Sequence, residues 1–104
     1  MKYLKDYQGT SIRLTDERLT HILEHPEMTQ MGHAIEEALA EPDVVLQSKS
    51  DEASRLYYRY YTKTIVGGKH LCVVVKFGQK DAFILTAYLT DKPKKGETIW
   101  KRKL

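Results

Sequence analysis

Beyond Pro42 the hydrophobic period changes from helical to two, and it keeps that period for most of the remaining chain. "DVVLQSK", "RLYYRYYTKTIV", "HLCVVVKF" and "AFILTAYLT" are rich in β-branched and aromatic residues, the composition of strands. The links between them, "SDEA", "GG" and "GQKD", are too short for a crossover helix, so consecutive strands are expected to run antiparallel. Such a sheet must cover its apolar face, and the segment before Pro42 supplies the cover. Thr15 suits an N-cap, with Asp16 and Glu17 where a helix dipole favours negative charge. Leu19, Ile22 and Leu23 then recur at helical spacing until Pro26, which predicts a helix from Asp16 to about Glu24. A second helix is predicted from near Thr29, with Ala34, Ile35, Ala38 and Leu39 on one face and Glu36, Glu37 and Glu41 on the other.

The expected fold is therefore α+β, with two N-terminal helices packed on one face of a four- to five-stranded antiparallel sheet. At 104 residues, with 41% hydrophobic and 30% charged residues, the chain is read as one globular domain. "KYLKDYQ" and "TSIRL" suggest a short strand or hairpin within residues 1–13. Residues 91–104 read as a basic tail in which "ETIW" could add a strand or dock Trp100 on the body.

The net charge of +3 is mild, but "KPKKGETIWKRKL" holds six Lys or Arg against one acid. That asymmetry suits an anionic partner such as nucleic acid, and also simple solubility. Cys72 lies alone in "LCVVV", so it is expected to be a buried thiol rather than half of an internal disulfide. No stretch approaches the ~20 apolar residues of a membrane span, and the N-terminus lacks a signal-peptide core, so a cytoplasmic protein is expected.

Alternation assigns the two faces of the sheet. Val73, Val75 and Phe77, with Phe83, Leu85, Ala87 and Leu89, are expected beneath the helices, which turns Cys72, Val74 and Lys76, with Ala82, Ile84, Thr86 and Tyr88, away. In "RLYYRYYTK", inward Leu56, Tyr58 and Tyr60 would leave Arg55, Tyr57, Arg59 and Tyr61 outward. A two-residue turn at Gly67 and Gly68 would set Arg59 opposite Lys76, and a five-residue loop, Gly78 to Ala82, would set Phe77 against Phe83. Opposed cations repel across an antiparallel pair, and a bound anion would offset the repulsion. Tyr57, Tyr61, Thr86 and Tyr88 would offer hydroxyls and stacking rings beside a phosphate. The alternative is a solvated face kept from aggregating by its cations.

His21 and His25 share a helix face but lack the other ligands of a zinc site, so no metal is expected. An imidazole can instead take and give a proton near neutral pH. His33 and His70 have weaker claims. "VGGKH" reads as a hairpin rather than a phosphate loop, which argues against ATP, NAD or any nucleotide cofactor. No Ser-His-Asp pattern is present.

"HILEHPEM", a second helix ending "EPD", then "YYRYY", "LCVVVKF" and "FILTAY" in that order, resemble the phage-type members of the barnase, EndoU, colicin and RelE nuclease superfamily. The resemblance covers about Leu14 to Tyr88 and implies two helices followed by a four-stranded antiparallel sheet. It also implies RNA cleavage without a metal or other cofactor, by polar residues on the exposed sheet face and a helix residue. Carried onto this chain, the pattern falls on His21 or His25, Arg59, Lys76, Thr86 and Tyr88. Arg55, Tyr57, Tyr61, Lys94 and Lys95 would bind the RNA. In that scheme a histidine and Tyr88 share the proton transfers, Arg59 and Lys76 hold the phosphate, and Thr86 donates a hydrogen bond. A toxin of a toxin-antitoxin or mobile-element module would bring a cognate antitoxin. A non-catalytic module that binds RNA or a protein with the same cations, and a structural phage protein, are the alternatives.

Overall fold

The structure, a computed structural model, describes residues 1–103; Leu104, at the end of the expected basic tail, lies outside them. The chain begins with a hairpin of β1 (Lys2–Lys5) and β2 (Ser11–Leu14). Asp6 closes it, its Oδ1 accepting from the amides of Gln8 and Thr10 at 2.9 Å each, while Gly9 takes a φ of 83° that a side chain would resist. Thr15 caps α1 (Asp16–Leu23) by accepting from the Arg18 amide at 3.1 Å. A short 3₁₀ turn at Pro26–Met28 leads into α2 (Gly32–Ala40). β3 (Val44–Gln47), β4 (Ser54–Tyr61), β5 (Lys69–Phe77), β6 (Ala82–Thr90) and β7 (Thr98–Lys101) follow.

All seven strands form one mixed sheet in the order β1-β2-β6-β5-β4-β3-β7. This corrects the expected four- to five-stranded antiparallel sheet with two N-terminal helices. The helices lie between β2 and β3, after a hairpin, and β2 pairs parallel to β6 through Arg13 and Phe83. Three of the added strands, β1, β2 and β7, are four residues each, too short to hold a place without the sheet edges they join. The sheet also curls, so that Tyr7 after β1 and Trp100 on β7 stack with ring centroids 4.7 Å apart.

The hairpin registers differ from the expected ones, with large consequences. β4 and β5 are joined by seven residues, Thr62 to Gly68, and Arg59 faces Leu71 rather than Lys76. The Thr64 hydroxyl donates to the Gly67 carbonyl and accepts from the Val66 amide at 3.2 Å, a local turn that removes Ile65 and Val66 from the ladder. Only Gly67, not Gly68, takes a positive φ, so the pair does not form the expected two-residue turn. The slip is odd, so every β4 side chain moves to the other face. Arg55, Tyr57, Arg59 and Tyr61 lie on the helix side, not outward. Leu56 and Tyr58 lie on the opposite side.

The β5–β6 connection has four residues, and Phe77 pairs with Ala82 rather than Phe83. A bulge follows: Val75 pairs with Ile84 but Val74 with Thr86, leaving Leu85 extra. Ala82 and Ile84 therefore enter the core, while Leu85 turns to the side of Tyr88, as Phe83 does to that of Lys76. After the bulge, Thr86 and Tyr88 have the outward placement that alternation assigns them. The main core is Ile12, Leu14, Ile22, Ile35, Leu39 and Tyr57 against Leu71, Val73 and Val75. The other face is not bare, because Leu46, Leu56, Tyr58 and Cys72 form a second apolar cluster with Val44, Val74 and Tyr88.

Candidate active site

Residues 91–97 cross this second cluster before β7 joins the edge of β3. The Gln47 amide donates to the Glu97 carbonyl at 2.8 Å, and the Lys94 amide donates to the Tyr58 hydroxyl at 3.1 Å. Gly96 is required where the strap passes: a Cβ there would lie 2.7 Å from the Gln47 carbonyl oxygen. Between the strap, the loop from Ser48 to Ser54 and the sheet lies a cleft of ≈ 480 Å³.

Register sets what this face of the sheet presents in and around the cleft. One row across β6, β5 and β4 is Tyr88, Cys72 and Tyr58, the next Thr86, Val74 and Leu56, and the row beyond the bulge Phe83, Lys76 and Ser54. Neighbours along a row stand about 4.5–5.5 Å apart at Cβ, and successive rows are about 7 Å apart along a strand. Lys76 Nζ lies 3.2 Å from Asp51 Oδ2, with the lysine side chain 43% exposed and so open to a second anion. Asp51 also accepts from the Ser54 hydroxyl at 2.8 Å and the Ala53 amide at 3.0 Å. Those bonds, the Ser54 hydroxyl foremost, and then Lys76, hold its carboxyl below the usual carboxylate range. Burial pushes the Tyr58 phenol up to about 12 and raises Tyr88 further, with Cys72 beside it adding to the shift. Both phenols stay protonated at neutral pH; Tyr58 is fully buried beneath the strap, and Tyr88 is the one of the two that lines the cleft and can donate there. Burial also raises the Cys72 thiol, which makes it a poor nucleophile. Lys94 Nζ stands 5.9 Å from the Tyr88 ring centroid, and Lys95 also lines the cleft.

The residues expected to act together are thus divided. Lys76, Thr86, Tyr88, Lys94 and Lys95 share the strapped face. Arg59 does not: its Nη1 donates to the Glu41 carbonyl at 2.6 Å, and its Nε lies 3.5 Å from Glu37 Oε1, tying β4 to the end of α2. Tyr61 donates to the same Glu37 carboxylate at 2.6 Å. Tyr57 is buried and donates to Asp6 Oδ2 at 2.8 Å, and Arg55 stacks over the Phe77 ring at 4.5 Å. His21 and His25 are exposed on the helix layer, His21 in a shallow depression with Thr15, Glu17 and Arg18. The sheet stands between these histidines and Lys76. Asp51 and the serines of "SKSDEAS" are cleft residues that sequence reasoning missed, as is Tyr58 beneath the strap, and the density of hydroxyls in that loop was the available signal.

Among the described residues no three His, Cys, Asp or Glu side chains gather as a metal site, and no helix is long and apolar enough to cross a membrane. No curated protein and no solved structure matches the chain. The family model for the phage-Barnase-EndoU-ColicinE5/D-RelE like nuclease2 family matches residues 1–104, the whole sequence, and the chain belongs to that family of nucleases.

Proposed function

We propose that this nuclease cuts RNA without a metal ion, by attack of a 2′-hydroxyl on the adjacent phosphate, on the strapped face of the sheet at the edge of the cleft. The supporting observation is that one face joins cations, hydroxyls and a carboxylate: Lys76, Thr86 and Tyr88 in three successive rows of the sheet, Asp51 on the loop beside Lys76, and Lys94 on the strap over Tyr88. Such cleavage needs a proton acceptor for the 2′-hydroxyl, a donor for the departing 5′-oxygen, and fixed positive charge where the phosphorane gathers negative charge. Asp51 is ionised, and its Oδ1 accepts only the Ala53 amide among the described contacts, leaving a lone pair for the 2′-hydroxyl proton. Tyr88, protonated and two rows from Lys76 on the same face, donates to the 5′-oxygen. Lys76 and Lys94 hold the phosphate, and the Thr86 hydroxyl donates to a non-bridging oxygen. Arg59, His21 and His25 take no part at this face.

The test is end-labelled RNA incubated with the purified chain and EDTA. The expected products carry a 2′,3′-cyclic phosphate and a free 5′-hydroxyl, and a single 2′-deoxy substitution at the cut blocks cleavage there. Products with 3′-hydroxyl ends, or loss of cutting in EDTA, overturn the mechanism; retention of RNA with no products leaves a binding module. The family's link with phage supports a toxin role in a mobile element, with an antitoxin covering the cleft. Expression of the parent chain then arrests growth and expression of Tyr88→Phe does not.

A further inference from the structure

The cleft holds more than the proposed reaction uses. Its floor is aliphatic, formed by Leu56, Val74 and Leu85, and Leu85 is there only because the bulge turns it out of the core. One wall is a fixed loop. Gln47 Nε2 donates to the carbonyls of Glu52 at 2.9 Å and Ser54 at 3.0 Å, and the Ser48 amide donates to the Ser54 carbonyl at 3.1 Å. The Ser48 and Ser50 hydroxyls lie 3.3 Å apart and share one hydrogen bond, which leaves each of them further capacity toward the cleft. At the rim stand Lys49, Lys94 and Lys95, exposed and without an ion-pair partner among the described residues.

We propose that this part of the cleft is a subsite for one unstacked nucleotide of a single strand, its base on the Leu56, Val74 and Leu85 floor beside the Tyr88 ring. The inference rests on the nuclease reading of the same face and names its substrate class. An apolar floor suits the flat face of a base, hydroxyls on a rigid loop suit its edge, and lysines at the rim suit the flanking phosphates. At ≈ 480 Å³ the space is of the size of a small-ligand cleft. A base paired within a duplex cannot reach the floor without leaving its stack. Single-stranded RNA is thus the substrate, and the base is held before the phosphate reaches Lys76.

The test measures binding of a short 2′-O-methyl RNA, which cannot be cut, as a single strand, annealed to its complement, and as the same backbone without bases. The expected order is the single strand tightest, with the abasic backbone weaker by about tenfold or more. Leu85→Ala should bring the based and abasic strands close together, whereas Phe83→Ala, outside the cleft, should leave their difference intact. Should Leu85→Ala not fold, amide shifts of Ser48, Ser50 and Lys95 in a titration of the parent chain give the same map. Equal binding of single strand and duplex, equal binding with and without bases, or shifts that spare this loop overturn the subsite while leaving the nuclease face. Failure of all three probes to bind overturns both.

Discussion

Two pairs of tyrosines on opposite faces of one sheet use the same side chain differently. On the helix side Tyr57 and Tyr61 each donate to a carboxylate, Asp6 at 2.8 Å and Glu37 at 2.6 Å, and burial followed by that bond raises both phenols. On the strapped side Tyr58 and Tyr88 flank a thiol across one row, Tyr58 accepts from a backbone amide, and no carboxylate bonds either hydroxyl among the described contacts. All four are kept protonated, but the first two hydroxyls are committed to holding β4 against the β1–β2 turn and α2. Of the second pair, Tyr58 is buried and holds the strap, and Tyr88 lines the cleft. The same contrast separates the two cations that alternation set side by side: Arg59 is tied to α2, and Lys76 faces solvent beside Asp51. Burial raises the pKa of a phenol on either face, so the destination of the hydroxyl is what separates support from chemistry.

The contrast breaks most sharply at Tyr88. Tyr88→Phe should lower RNA cleavage by about 10²- to 10⁴-fold, the range for loss of one proton-transfer group, with the melting temperature close to that of the parent. Near-parental turnover would move the acid elsewhere. Lys76→Ala should cost about 10²- to 10³-fold in rate, as removal of a charge-stabilising donor does elsewhere. Single-turnover kinetics at saturating RNA separates this from weaker binding. Tyr57→Phe should do the reverse, lowering unfolding free energy by about 1–3 kcal/mol because the buried Asp6 carboxylate loses a donor. Its turnover per folded molecule should stay unchanged, and urea melts of the purified variant beside activity assays check both. Arg59→Ala is the smaller structural case, about 1 kcal/mol, since its side chain is 23% exposed and its bonds compete with water. A large loss of activity in that variant, with stability kept, would return Arg59 to the catalytic group.

How far the sequence could be read is clearest at these same residues. The helix starting at Asp16 follows from Thr15 and a local apolar stripe, and the outward placement of Lys76 follows from the unbroken alternation of "LCVVVKF". Local patterns of this kind need no partner to be interpreted. The face of β4 could not be read locally, because in "RLYYRYY" both alternating sets bury a tyrosine and a partner for it exists on either side: Asp6 beneath the helices for Tyr57, the strap for Tyr58. Register there depends on the β4–β5 turn, where Thr64 outcompetes Gly-Gly. The bulge at Leu85 is likewise invisible to alternation, since it restores the outward phase of Thr86 and Tyr88 after Ala82, Phe83, Ile84 and Leu85 have all taken the face opposite to the expected one. β7 and the strap depend on the edge of β3 and on a glycine that passes over Gln47, contacts a linear pattern does not encode. The candidate site was thus legible as a set of residue types, with Arg55, Tyr57, Arg59 and Tyr61 placed on the wrong face.

The mildest expected effect is on stability in alkali, and it treats the two faces alike. An unfolded tyrosine ionises near 10.0, whereas Tyr58 is pushed up to about 12 and Tyr57, Tyr61 and Tyr88 are raised as well, by burial first in every case. Below the unfolded value both states hold the phenolic proton, and pH has no leverage through these groups. Above it the unfolded chain gives up protons that the folded chain keeps, so the unfolded state binds fewer protons and unfolding free energy must fall as pH rises. Urea midpoints should therefore be flat through neutral pH with respect to these groups and decline from about pH 10 upward. Tyr61→Phe and Tyr88→Phe should each make the decline shallower, one from each face, although at neutral pH only the second impairs cleavage. A decline that both variants leave unchanged would mean that these phenols ionise in the folded protein as readily as in water, and that burial on neither face raises them.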